Sequence, residues 1–238
     1  MNIDPVYPSR RRFIRNGTLA TALLAVPWLN GQNQRSQTSN VPKRPPALDG
    51  QLVNQIVRFS HGQPDKVKQL LKDEPGLVNA TWDWGGGDFE MALGAASHMG
   101  RKDIAQILID AGARKDMFYF AMEGNLPVLR AAIDGDPSIV NVSGPHTLTL
   151  FYHAAISGNV DLAKYLQQKG ALIDDSSLNA SVQFGKHYEM TEWLLDNGAT
   201  YYGQSGFRKK PMAITAREQG LNRLADLLES RQVPKPLK

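Results

Sequence analysis

The chain has 238 residues, 42% of them apolar and 21% charged, with no cysteine. That composition describes one large or two small globular domains, and it excludes a disulfide scaffold, cysteine-based zinc sites and a thiol nucleophile. The net charge of +4 is unevenly placed: residues 1–48 hold seven basic side chains against one acidic, residues 231–238 hold three basic ones, and the body between them is −5. A body of that sign repels phosphate, which argues against nucleic-acid binding.

At the N-terminus, Ser9-Arg10-Arg11-Arg12-Phe13-Ile14-Arg15 precedes the apolar run from Gly17 to Leu29. A positive segment followed by an apolar one is the layout of a signal peptide. Arg10, Arg11 and Phe13 carry a resemblance to the bacterial twin-arginine (Tat) signal S-R-R-x-F-L-K, with Ile14 and Arg15 as conservative departures. The resemblance implies recognition by the Tat export machinery and a periplasmic or otherwise exported protein. The other reading is a basic tail ahead of a buried helix. Thirteen apolar-run residues are fewer than the roughly 20 that span a bilayer, so no permanent membrane span is expected. We assign residues 1–31 to the signal. Residues 32–48, rich in Gln, Ser and Asn and carrying Pro42, Pro45 and Pro46, read as a disordered linker.

From residue 49 onward a glycine recurs between two helix-like patterns, at Gly62, Gly100, Gly124, Gly158, Gly185 and Gly220. The intervals of 38, 24, 34, 27 and 35 residues alternate long and short. Each glycine is followed by apolar residues at helical spacing, as in Ile104-Ala105-x-Ile107-Leu108 and Leu224-Ala225-x-Leu227-Leu228. Four residues before the glycine a small side chain recurs, at Ala96, Ala154, Ser181 and Ala216, which lets two helices approach closely. Three second helices end in glycine, at Gly112, Gly170 and Gly198, where a left-handed cap costs that residue nothing. The segments Asp73–Asn79 and Gly135–Asn141 share a P-x-[LI]-V-N ending.

These residues resemble ankyrin repeats, written T-P-L-x-x-A-x-x-x-G-x-x-x-h-h-x-h-L-L-x-x-G-A. Met91 to Ala113 and Leu150 to Ala171 follow the pattern well, and Ala216-Arg217-Glu218-Gln219-Gly220 is a frequent ankyrin ending. The resemblance covers residues 49–230 and implies an all-α fold: a solenoid of about six stacked helix-turn-helix units, some carrying finger loops. Residues 231–238 are then a basic tail. The T-P-L-H tetrapeptide is intact nowhere, Phe120 and Arg58 replace the small residue in two units, and the first unit reads as a cap. The short intervals leave little chain for fingers, so these are expected to be longest at 80–90, 141–148 and 200–209.

The most unusual string is Thr81-Trp82-Asp83-Trp84-Gly85-Gly86-Gly87-Asp88-Phe89-Glu90, on the first finger. It resembles a string found in a bacterial ankyrin subgroup. Aromatics beside carboxylates suit a recognition patch; in the alternative, a tryptophan covers the exposed end of the finger and the glycines make the turn. The glycine run lacks the G-K-[ST] of a phosphate loop. The five histidines, His61, His98, His146, His153 and His187, contain no H-E-x-x-H or other close zinc-ligand pair. His98 and His153 fall on first helices and His146 on a finger, where stacking brings it near Asp88 or Glu90. There is no nucleophile elbow and no dinucleotide fingerprint.

The leading expectation is therefore an exported, non-enzymatic scaffold that binds a protein partner on its concave face and carries no cofactor or metal. Its candidate contacts are Trp82, Asp83, Trp84, Asp88, Phe89, Glu90, His146 and His153. The alternative is an enzyme, or a metal- or small-ligand-binding protein, built from the finger acids and histidines.

Overall fold

The computed structural model of the protein describes residues 45–203 and 210–234. The signal motif, most of the linker, much of the third finger and the end of the basic tail lie outside the described residues. Within them the chain is mostly helical, as the expected all-α class requires. Twelve α-helices are described, in six pairs: α1 (Gly50–Ser60) with α2 (Pro64–Asp73), α3 (Ala92–His98) with α4 (Lys102–Asp110), and α5 (Met117–Met122) with α6 (Leu126–Gly135). They continue with α7 (Leu150–Ser157) and α8 (Val160–Gln168), α9 (Asp175–Ala180) and α10 (Tyr188–Asp196), and α11 (Met212–Glu218) and α12 (Asn222–Ser230). None of them is long and apolar enough to cross a membrane.

Local chemistry sets the helix ends. Asp49, Asp116, Thr149 and Asp174 each accept a backbone N–H of the helix they precede, removing one of its unpaired donors. The two segments that matched in sequence fold alike, as 3₁₀ turns at Pro75–Asn79 and Pro137–Asn141. Their closing asparagines do the same job. Asn79 donates to the Gly112 carbonyl and accepts from the Arg114 N–H, while Asn141 donates to the Gly170 carbonyl and accepts from the Leu172 N–H. Each asparagine thereby ties its unit to the end of the next second helix.

First helices pack on first helices, α1 on α3, α3 on α5, α5 on α7 and α7 on α9. Second helices pack likewise, α2 on α4 and α6 on α8, then α8 on α10 and α10 on α12. The small residues before the repeat glycines, Ala96, Ala154, Ser181 and Ala216, are all buried in these contacts, whereas Arg58 of the first unit is exposed. Gly100 shows why glycine is needed at such a turn. Its φ is +63°, and a Cβ there would lie 2.9 Å from Ile156 Cγ2 and 3.3 Å from Phe184 Cβ.

Among the described residues three features depart from simple helix pairs. The first finger is a short antiparallel hairpin, β1 (Thr81–Asp83) with β2 (Phe89–Met91), in which Trp82 faces Glu90. Gly85, Gly86 and Gly87 all have positive φ and make its turn, helped by Asp83, whose carboxylate accepts the Gly85 N–H. The fifth unit continues past α9 in a π-turn, Ser181–Gly185, that ends at Lys186 in the left-handed region. The second finger, Val142 to Thr149, closes through a single bridge between Ser143 and Thr149.

Candidate metal centre

Three chain segments converge on Glu90, which is fully buried on β2. His98 comes from the last turn of α3, His61 caps the end of α1, and His146 stands on the second finger. His98 Nδ1 lies 3.1 Å from Glu90 Oε1, His61 Nε2 3.6 Å from Oε2 and His146 Nε2 3.5 Å from Oε2. One ligand atom from each of the four residues falls within 4.8 Å of every other. The ring centres of His61 and His98 are 4.9 Å apart, and those of His98 and His146 5.3 Å.

Gly94 lies between Glu90 and His98 in the chain. The two residues flank it at four-residue spacing, and a helical side chain leans back toward the N-terminus, so His98 reaches over the turn that Gly94 occupies. A Cβ on Gly94 would sit 3.8 Å from Glu90 Cγ and 3.8 Å from Pro145 Cγ, so a longer side chain there would enter the space both use.

Each outer partner fixes the direction of a ring. His61 Nδ1 is 3.0 Å from the Val57 carbonyl, which only accepts, so this nitrogen carries the proton and Nε2 is left bare toward Glu90. His146 Nδ1 is 2.8 Å from Asp88 Oδ2, so this nitrogen carries the proton and, in the neutral ring, Nε2 is the bare one. Asp88 also accepts the His146 backbone N–H through Oδ1 at 2.8 Å. That second bond holds His146 at φ +58°, a left-handed conformation a non-glycine residue adopts at a cost. Trp84 Nε1 donates to Glu90 Oε2 at 2.7 Å, and the Arg58 guanidinium covers the indole at 5.3 Å.

Electrostatics agree with this geometry. Burial pushes the His61 imidazole below its ordinary value, outweighing the opposing pull of Glu90, and so favours the neutral form that owns a lone pair. Burial alone would push Glu90 up, but His98, His61 and the Trp84 donor outweigh it and hold the carboxyl below its ordinary range. Asp88 is held low, chiefly by the His146 N–H. At the centre Glu90 Oε1 and His98 Nδ1 are both buried, 3.1 Å apart, within ion-pair reach of each other but not aligned as a hydrogen bond, and neither has another partner. A metal ion would satisfy both in the tautomer that carries the His98 proton on Nε2, where Nδ1 offers a lone pair.

The eight partner-contact candidates thus divide. Asp88, Glu90 and His146 belong to the cluster, the last two meeting as finger stacking implied, and Trp84 supports it. Trp82 is half-buried, and Asp83 is spent on the hairpin turn. Phe89 stands out at 60% exposure. His153 is buried on α7, its Nδ1 bonded to the Thr149 carbonyl and its ring against Phe118; it and Glu90 present no surface to a macromolecule. Arg10, Arg11 and Phe13 lie outside the described residues. Sequence reasoning did not place His61 and His98 in a site, because Glu90 and His98 stand eight residues apart and match no close ligand spacing. No family model matches this chain, and no curated protein matches it.

Proposed function

We propose that this chain is an exported, ankyrin-type repeat protein whose working part is a site for one divalent transition-metal ion held by His61, Glu90, His98 and His146. One observation carries the reading: two imidazoles have their outer nitrogens committed to fixed acceptors and turn bare Nε2 atoms toward a buried carboxylate. Metal-binding histidines characteristically donate their other N–H to a carboxylate or a backbone carbonyl, and here Asp88 and Val57 fill those places. Three imidazoles and one carboxylate suit Zn²⁺, Fe²⁺, Co²⁺ or Ni²⁺ better than Mg²⁺ or Ca²⁺, which prefer all-oxygen sets. Bonds of about 2.0–2.2 Å place tetrahedral ligand atoms about 3.4 Å apart, close to the 3.5 and 3.6 Å between the two Nε2 atoms and Glu90 Oε2. The repeated helix pairs and asparagine ties support the ankyrin reading, and the Arg10-Arg11 motif supports export.

The test is calorimetric titration of the chelator-stripped full chain with zinc, beside elemental analysis of untagged protein purified from its native compartment. We expect one zinc per chain, and one equivalent of a first-row metal in the native material. A stripped chain that binds no zinc, and native material free of metal, would overturn the proposal. A second reading, a protein partner met at the finger tips, is favoured by the exposed Phe89 on the hairpin. Phe89 is not among the four ligands, so Phe89→Ala that abolishes partner capture and leaves zinc binding intact would establish that reading separately.

A further inference from the structure

The metal cluster is not sealed on every side. His98 and His146 also line one end of a cavity of about 260 Å³ whose walls include Met99, Leu148 and Phe184. Gln183 lines the same cavity; it is 96% buried by its 4% exposure, and its Oε1 has no hydrogen-bond partner. Its Nε2 is committed to Asn179 Oδ1, so the amide is held with an acceptor to spare. The residues that shape this wall, Gln183 and Phe184, both sit in the π-turn Ser181–Gly185. Such turns insert a residue into a helix and are frequent at functional sites. The turn is clamped by Ser181 Oγ against Thr191 Oγ1 at 2.9 Å and by close packing under Gly185, where a Cβ would lie 2.8 Å from the Ile156 carbonyl oxygen. A built wall with a buried, unpaired acceptor is costly unless something pairs with it.

We propose, resting on the metal reading above, that this cavity binds a small carboxylate with a single-ring or similarly compact apolar body and one hydroxyl or amino donor. The carboxylate would meet the metal as a fifth ligand beside His98 and His146, on an ion that expands from four- to five-coordinate, where an anionic oxygen suits a borderline cation. The apolar body lies against Met99, Leu148 and Phe184, and the donor pairs with Gln183 Oε1. The volume sets the size, because drug-sized ligands occupy about 300–1,000 Å³ and this cavity is smaller.

The experiment uses the full chain in zinc-loaded and metal-free forms, with 4-hydroxybenzoate as probe and 4-methylphenol, which lacks the carboxylate, as control. Calorimetry reads affinity, and far-UV circular dichroism melts confirm that each variant is folded. We expect one probe per zinc-loaded chain, bound at least about tenfold more tightly than by the metal-free form, with no such difference for 4-methylphenol. Gln183→Met and Leu148→Phe, neither of them a metal ligand, should each weaken the probe by about tenfold, the scale of one lost hydrogen bond or one blocked contact, and leave zinc affinity unchanged. A chain that binds zinc but not the probe would overturn the cavity assignment and leave the metal site standing. Equal probe affinity with and without zinc would overturn the carboxylate–metal contact. Failure to bind zinc at all would overturn the underlying reading instead.

Discussion

Asp88→Asn is the most informative single change, because it alters a proton's position with almost no change in shape. The native carboxylate accepts twice from His146, from Nδ1 and from the backbone N–H, each at 2.8 Å. An asparagine has one carbonyl oxygen and one NH₂ group, so it can accept only one of these. If the oxygen keeps the backbone N–H, the NH₂ faces Nδ1 and forces the imidazole proton onto Nε2. That nitrogen then has no lone pair for a metal. If the oxygen keeps Nδ1, the NH₂ opposes the backbone donor and the φ +58° conformation of His146 loses its support. Either way one of four ligands is impaired. Loss of such an outer partner typically costs 10–100-fold in metal affinity, about 1.4–2.7 kcal/mol. Zinc titration of the variant beside the parent chain, with thermal melts as a folding control, measures it. A zinc affinity within about threefold of the parent, a difference of roughly 0.65 kcal/mol, would refute the ligand role of His146.

Trp84→Phe keeps the aromatic ring but removes the donor to buried Glu90; the metal-free chain should lose about 1.5–3 kcal/mol of stability, the range for a hydrogen bond to a charged group. Denaturant unfolding checks it, and an unchanged midpoint would show that the indole does not support the carboxylate. His153 is held neutral by burial, its pKa lowered from 6.5 to about 4. The unfolded chain therefore takes up a proton that the folded one refuses, so stability is full above pH 6.5 and falls toward pH 4. The loss from this group is about 3 kcal/mol, and His153→Gln should lose correspondingly less on acidification; parallel stability-against-pH curves would contradict it. Replacing Arg10 and Arg11 together with Lys should leave precursor in the cytoplasm, and unchanged periplasmic yield by cell fractionation would remove the Tat assignment.

The helix pairs were legible because glycine and apolar spacing act locally. A turn that needs positive φ is written as glycine at Gly100, Gly124, Gly158 and Gly220, although Lys186 and His146 adopt it without one. The shared P-x-[LI]-V-N ending was legible for the same reason, since both copies fold into one local 3₁₀ turn and use their asparagine alike. The site was legible only in part. His146 meeting Asp88 and Glu90 follows once two fingers are taken to be neighbours. His61 joins only because α1 packs on α3, a contact between residues 37 positions from His98 that no local pattern encodes. The π-turn Ser181–Gly185 was not foreseen either, since nothing in the sequence analysis marked Val182, Gln183 or Phe184. The string Thr81–Glu90 left open whether its tryptophans form an exposed patch or cover the finger; the Trp84 indole donates to buried Glu90, and the string alone does not show which way a hairpin faces.

The central claim is tested most directly by anomalous diffraction at the zinc edge from crystals of the zinc-loaded full chain. The account requires one peak within about 2.0–2.2 Å of His61 Nε2, Glu90, His98 Nδ1 and His146 Nε2. No peak among these four side chains, in crystals whose protein has been shown to carry zinc, would contradict it.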